Sequence, residues 1–187
     1  MRLISERDAR GQEARHGRGG RPRRSHGPGI QVRWHPYAAA AMAAAAAAAA
    51  GAAAVNPDSA WYTALAKPRW QPPSWAFGAL WTPLYASVAW SAGRALDLAR
   101  GRERERLAAS LAVNLSLNAA WSWLFFAARS PRAGLAGTLL LDVSTLHLIR
   151  TTSRTDRVAA TVLLPYAAWC WFATALNAKI AQLNPCS

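Results

Sequence analysis

The sequence predicts an all-α fold, a membrane-embedded bundle of five transmembrane helices, and three observations carry that expectation. Charge is clustered: no Asp, Glu, Lys or Arg occurs in 34–57, 70–93, 107–128 or 158–178, and Asp142 is the only one in 133–149. Each of the first four windows exceeds 20 residues, the length a helix needs to cross about 30 Å of hydrocarbon. Hydrophobic residues make up 52% of the 187, although the formal net charge is +13. A soluble basic protein would spread that charge along the chain. Finally, the stretch from Trp61 to Tyr85 carries Trp61, Trp70, Trp75 and Trp81 among four Pro and two Tyr, with only Lys67 and Arg69 charged. Rings at that density belong at a water–lipid boundary or over a cavity holding something flat and apolar.

Residues 1–33 carry nine Arg against Glu6, Asp8 and Glu13. Like charges with few apolar residues make no core, so this is expected to be a disordered basic tail. A nucleic-acid arm would want aromatics for stacking, and none precedes Trp34, so no nucleic acid is expected as a partner. Attachment to anionic lipid headgroups and an unstructured extension both stay open. The transmembrane domain is expected over 34–187.

The first helix, about 36–55, is mostly Ala, the best helix former. Its rival is a secretory signal with an Ala-x-Ala site before Asn56, but the basic region ahead of it exceeds 30 residues, and a retained helix is preferred. Residues 56–73 are expected to form a stiff aromatic loop, because Pro68, Pro72 and Pro73 remove donors and restrict their neighbours. Trp70 and Trp75 read as interfacial belt. A second helix, about 74–96, contains Pro83 and places Trp81, Tyr85 and Val88 on one face. Residues 97–106 alternate Arg with Glu or Asp and are expected to be a short solvated connection.

In the third helix, about 107–127, Asn114, Asn118, Trp121 and Phe125 share a face that must turn from lipid toward protein or a cavity. Ala112, Ser116 and Ala120 form a small-residue series that suggests a helix–helix seam, within one subunit or between two. The fourth helix, about 133–149, holds Asp142 and His147. The carboxylate is either functional or bonded to a neighbouring helix, and the imidazole is expected at the interface rather than on a metal. The fifth helix, about 157–181, sets Tyr166, Trp169, Ala173 and Asn177 along one stripe, with a kink expected at Pro165. Cys170 reads as a small apolar filler, and its spacing from Cys186 suits neither a zinc site nor a disulfide framework. Counting Lys and Arg on alternate sides gives 17 against five, so the tail is expected in the cytoplasm and the 56–73 loop on the opposite side.

Four stretches together resemble the translocator protein / tryptophan-rich sensory protein family (TspO/MBR). They are Trp61-Tyr62 with Leu65-x-Lys67-Pro68-x-Trp70-x-Pro72-Pro73; Trp81-x-x-Leu84-Tyr85; Leu117-Asn118-x-x-Trp121-Ser122-x-Leu124-Phe125-Phe126; and Pro165-Tyr166-x-x-Trp169-x-x-Phe172-Ala173-x-x-Leu176-Asn177. The resemblance covers about 36–181. It implies a five-helix bundle, often a homodimer, whose cavity is closed by the first loop. It further implies porphyrin or haem as ligand, with sterols and flat drugs in some relatives, and no required cofactor. Some members are reported to degrade protoporphyrin, and the Trp implicated match Trp81 and Trp169. In two departures, Ala133 stands where a Trp is often found, and Gly137 where an Asp is frequent, with Asp142 as a possible substitute. Tyr166 has no cation within the next five residues, which weakens the sterol reading.

The function the resemblance implies, and these residues fit, is an integral membrane tetrapyrrole-binding sensor or regulator. Trp81, Trp121 and Trp169 would line the cavity, with Trp61, Tyr85, Asn118, Phe125, Tyr166, Ala173 and Asn177 around them, and Lys67 and Arg69 would take the propionates. Two alternatives stand beside it. One is a weak light- or oxygen-dependent porphyrin-degrading enzyme, which would run through Trp81 and Trp169; no nucleophile–base pair or metal cluster is evident for other catalysis. The other is a small-molecule transporter, against which the lack of an evident inverted repeat weighs mildly.

Overall fold

The structure, a computed structural model, describes residues 33–185. The expected basic tail lies outside the described residues except for Arg33, and so does Cys186. The helices are α1 (Trp34–Ala52), α2 (Ala60–Ala64), α3 (Ser74–Leu98), α4 (Gly101–Ser122), α5 (Pro131–Thr155), α6 (Arg157–Val162) and α7 (Leu164–Leu183), and α4 runs on into a π-helical stretch, Trp123–Ala127. Among the described residues there is no strand. The fold is an all-α bundle of long rods: α1, α3, α4 with its π stretch, α5, and α6 continued by α7.

Local chemistry sets the ends of these rods. Ser130 caps α5 by accepting from the Ala133 N–H at 3.2 Å, with Pro131 at the first helical position, where its missing donor costs nothing. Asp156 caps α6 through Ala159 N–H at 2.6 Å. The kink expected at Pro165 is a break at Leu163, because Pro165 has no N–H to offer the Thr161 carbonyl. Pro83, by contrast, is carried inside α3 without ending it.

Two expectations are corrected. Residues 97–106 are largely solvated but are not a separate connection: Gly101, at φ +50°, turns the chain sharply, and the mostly exposed charged residues that follow form the first turns of α4. Glu103 there sits at the positive end of the helix dipole. The loop 56–73 is not irregular throughout, since Ser59 accepts from Tyr62 N–H at 3.3 Å and starts the short α2. By length and composition, Arg157–Leu183 is the one described helix that qualifies by itself as a membrane crossing. α1 falls short because Trp34, His35, Pro36 and Tyr37 take up the first turn of its 19 residues, and α4 and α5 because they carry charged turns and hydroxyl side chains.

Packing divides the bundle along its length. α1 lies on α3 and α4, α5 on α4 and α7, and α6 on α3 and α5. In the half away from the 56–73 loop, Val88, Ala92, Leu107, Leu111, Leu148, Leu163 and Tyr166 make a filled core. There Arg94 donates to Asp156 Oδ2 from Nε at 3.1 Å and Nη2 at 3.0 Å, tying α3 to the α5–α6 corner. That bond holds the Asp156 carboxyl below the usual carboxylate range. Its contribution is therefore in place above that range and is lost as pH falls through the lowered value. A smaller cluster of Leu65, Phe125, Leu176 and Ile180 sits under the loop. Ala112, Ser116 and Ala120 lie exposed on the outer face of α4, so the seam they suggest is not inside this subunit. Asp142 accepts from Thr174 Oγ1 at 2.7 Å, linking α5 to α7, and His147 is exposed beside Thr151. Among the described residues no His, Cys, Asp and Glu side chains gather as a metal site.

Close approach of α1 and α3 depends on Gly93. A Cβ there would meet Tyr37 Cα at 2.8 Å and Cδ1 at 2.6 Å, and a backbone atom cannot swing aside. Gly93→Ala is expected to destabilise the bundle by about 1–3 kcal/mol, read as loss of thermal stability in detergent. Gly78→Ala, on the same helix but with nothing described within 4 Å of its Cβ, is expected to be neutral or stabilising by up to about 1 kcal/mol.

Candidate ligand cavity

Between the two clusters the bundle is hollow. The cavity holds about 680 Å³, within the roughly 300–1,000 Å³ of small-molecule sites. α3 contributes Phe77, Trp81 and Tyr85; α4 and its π stretch contribute Asn118, Trp121, Phe125 and Phe126; α7 contributes Trp169, Ala173 and Asn177; the loop contributes Tyr62 and Gln71; α1 contributes Ala48, Gly51 and Ala52. The hollow persists because bulky rings on three helices face one another across small residues, which cannot fill the space between them.

The rings pack mostly edge to face, as their quadrupoles prefer. Trp81 lies 5.2 Å from Tyr85 and stands perpendicular to Trp169 at 6.4 Å. Trp121 stacks on Phe125 at 5.9 Å. The π stretch, closed by Ala128 N–H on the Trp123 carbonyl at 2.8 Å, is wide enough to turn both Phe125 and Phe126 to the hollow. Gly134 on α5 makes room behind them: a Cβ there would come within 2.7 Å of Phe125 Cδ2 and 2.9 Å of Asn177 Oδ1.

Beneath the cavity runs one directed chain of hydrogen bonds. Tyr85 Oη donates to Asn118 Oδ1 at 2.7 Å, and Asn118 Nδ2 to Tyr166 Oη at 3.1 Å. Tyr166 Oη in turn donates to Asn114 Oδ1 at 2.9 Å, and Asn114 Nδ2 to Thr145 Oγ1 at 2.9 Å. Tyr166 is 1% exposed and Asn114 is fully buried. The chain joins α3, α4, α5 and α7 and satisfies amides that lipid could not.

Above the cavity the loop is packed shut. Trp61 and Tyr62 set their rings edge-on to Phe125 at 5.6 and 6.3 Å, and Gln71 Nε2 donates to Tyr62 Oη at 3.2 Å. Asn184, just past α7, accepts from Ala66 N–H and donates to the Ala66 carbonyl, both at 3.0 Å.

Of the sequence-predicted residues, Trp81, Tyr85, Asn118, Trp121, Phe125, Trp169, Ala173 and Asn177 line the cavity; Trp61, Lys67, Arg69 and Tyr166 do not. Trp61 is lid packing, and Tyr166 is consumed by the two amides below. Lys67 Nζ donates to the Tyr62 carbonyl at 2.5 Å and lies 4.2 Å from that ring's centroid, and burial pulls its ammonium below the ordinary lysine value. Arg69 is exposed. Asp142 is engaged by Thr174 outside the lining, and the Gly137 position faces Leu124 and Trp121. Among the described residues no charged side chain lines the cavity. The site can therefore stack a flat ring and offer neutral hydrogen-bonding groups. Other lining residues escaped the sequence reading, Phe77, Gln71 and Gly51 among them. Phe77 lies four positions before Trp81, a helical signal that was present; Gln71 and Gly51 carried none.

Comparison with known proteins finds relatives along most of the described chain. The family model described as TspO/MBR family matches residues 38–183. The chain is 36% identical over 131 residues to the tryptophan-rich protein TspO of Chlorobaculum tepidum, covering 70% of this chain and 83% of the relative. It is 33% identical over 133 residues to the protein CrtK of Rhodobacter capsulatus, covering 71% and 83%. It is 33% identical over 119 residues to the human translocator protein, covering 63% and 70%.

Tyr166→Phe removes the hydroxyl that both Asn114 and Asn118 use. Membrane hydrogen bonds average well under 1 kcal/mol each, but Asn118 Nδ2 and Asn114 Oδ1 lose their partner together, so a loss of about 1–2 kcal/mol is expected. Thermal unfolding in detergent measures it, with Tyr62→Phe, whose hydroxyl meets Gln71 alone among the described residues, as the milder comparison.

Proposed function

This chain belongs to the TspO/MBR family of integral membrane proteins, and from that premise we propose that it binds tetrapyrroles, porphyrin or haem, as a membrane sensor or regulator. The observation that carries the reading is the neutral hollow of about 680 Å³ walled by Trp81, Tyr85, Trp121, Phe125 and Trp169. A flat conjugated macrocycle gains stacking on such rings and leaves no buried charge unpaired. Its acidic groups belong at the loop end, where water is near. Lys67 meets one there only by giving up the Tyr62 carbonyl, so the cations contribute less than the rings. The tail side is placed in the cytoplasm and the lid on the opposite face, following the Lys and Arg distribution. The exposed Ala112, Ser116 and Ala120 face of α4 is the surface on which a second copy would pack as a homodimer.

A second reading, slow porphyrin degradation, is favoured by the contact between Trp81 and Trp169 on the cavity wall, since two adjoining indoles are oxidisable partners for a photoexcited ligand.

Titration of the reconstituted protein with protoporphyrin IX is expected to quench Trp fluorescence saturably. The Trp81→Phe/Trp169→Phe double variant is expected to bind at least about tenfold more weakly, a difference of about 1.4 kcal/mol. Binding that survives unchanged in that variant removes the reading. Loss of porphyrin absorbance in light but not in darkness, abolished in the same variant, would select the degrading enzyme over the sensor.

A further inference from the structure

We propose that the cavity is entered sideways, from the acyl-chain layer of the bilayer, through a gap between the loop-side halves of α1 and α3, with Gly78 as its sill. The inference rests on the reading of the hollow as a ligand site, and it names the phase from which ligands arrive.

Two sides of the hollow are closed by what has been described. The hydrogen-bond chain through Tyr166 seals the floor, and the lid is fastened by Leu65 and Trp61 on Phe125 and by Asn184 on Ala66. The α1–α3 side differs. These helices pack closely over the half away from the loop, where Tyr37 lies against Gly93 and Ala40 shares a core with Val88 and Ala92. Toward the loop, α1 leans instead onto α4. A Cβ on Gly51 would be 3.3 Å from Ser122 Oγ, and Trp123 Nε1 donates to the Ala50 carbonyl at 3.0 Å. The loop-side half of α3 packs on α7 through Phe77 and Trp81 against Trp169, and its flank toward α1 is left bare among the described residues. All the buried residues of α3 lie from Leu84 onward, and the space beside Gly78 is open for at least 4 Å among the described residues.

The rim follows from residues that both line the cavity and are exposed on the outside: Ala52, Val55 and Pro57 from the α1 side and the start of the loop, Ser74, Gly78 and Thr82 from α3. None is charged, and the Thr82 hydroxyl is already bonded to the Gly78 carbonyl at 3.3 Å. A mouth of that chemistry is compatible with acyl chains and gives an ion no reason to pass. The occupant it fits is an uncharged or flat apolar body dissolved in the bilayer, with any acidic end trailing toward Ser74 at the loop.

The experiment needs no tetrapyrrole. In proteoliposomes of the full chain with Cys170→Ala and Cys186→Ser, a reporter thiol is placed on the cavity wall by Ala173→Cys. Its labelling by a lipid-soluble pyrene maleimide is compared with labelling by a charged, water-soluble sulfonated maleimide. The lipid-soluble reagent is expected to react at least about tenfold faster after correction for intrinsic reactivity, and Gly78→Phe to slow it by about tenfold. Asn184→Ala, which loosens the lid, is expected to leave that rate within about twofold. Thr82→Trp plugs the same gap from the next turn and serves should Gly78→Phe not fold. Equal labelling by the charged reagent, no labelling by either, or an unchanged rate in the plugged variants overturns the proposal. Failure of porphyrin to bind, with labelling as expected, would remove the tetrapyrrole reading and leave the portal standing.

Discussion

The Tyr166 hydroxyl is the point on which the rest of the structure depends. It sits where three helices meet, accepting from Asn118 and donating to Asn114, which passes the bond on to Thr145. In a bilayer no water can rescue these amides if the helices drift apart, so the only low-energy arrangement holds α4, α5 and α7 at fixed spacing, with α3 drawn in by Tyr85. The individual bonds are modest. Their value is geometric: they fix a floor at one depth in the bundle, and everything on the loop side is built upon it.

Side-chain size then decides which part fills and which stays hollow. Below the floor, Leu, Val and Ala interdigitate into a continuous core. Above it, rigid rings on α3, α4 and α7 meet Ala48, Gly51 and Ala173, and rigid rings cannot spread into irregular gaps as Met or Leu would. The glycines divide the labour by position. Gly93 lets α1 and α3 touch, Gly134 lets Phe125 and Asn177 settle against α5, and Gly78 leaves a flank of α3 bare. The hollow is thus a consequence of where bulk is placed, with the lid held by its own packing and by Asn184.

Much of this was legible in the chain, and the reasons differ by element. Four charge-free windows announced spans because charge is costly in lipid at every position. The shared face of Asn114, Asn118, Trp121 and Phe125 was legible because amides must point away from lipid, and it does line or underlie the hollow. The first turns of α4 were misread as a connection because charge alternation marks solvation, and a helix projecting beyond the membrane is solvated too. Lys67 was misplaced for a related reason. A cation in an aromatic loop suggests an acidic ligand, yet the local carbonyl of Tyr62 and its ring compete for the same ammonium. Tyr166 fell on the right stripe but serves the floor rather than the wall, a distinction of a few ångströms that helical periodicity cannot make. The π stretch had no sequence signature.

The central claim is that indoles from separate helices enclose a real hollow that accepts a flat ligand. A crystal structure determined from a lipidic mesophase containing protoporphyrin tests it most directly. The account predicts macrocycle density between the Trp81–Trp169 pair and Trp121, above Tyr85 and Asn118. Density for the ligand only on the outer surface, with the rings collapsed together and the space between them gone, would contradict it.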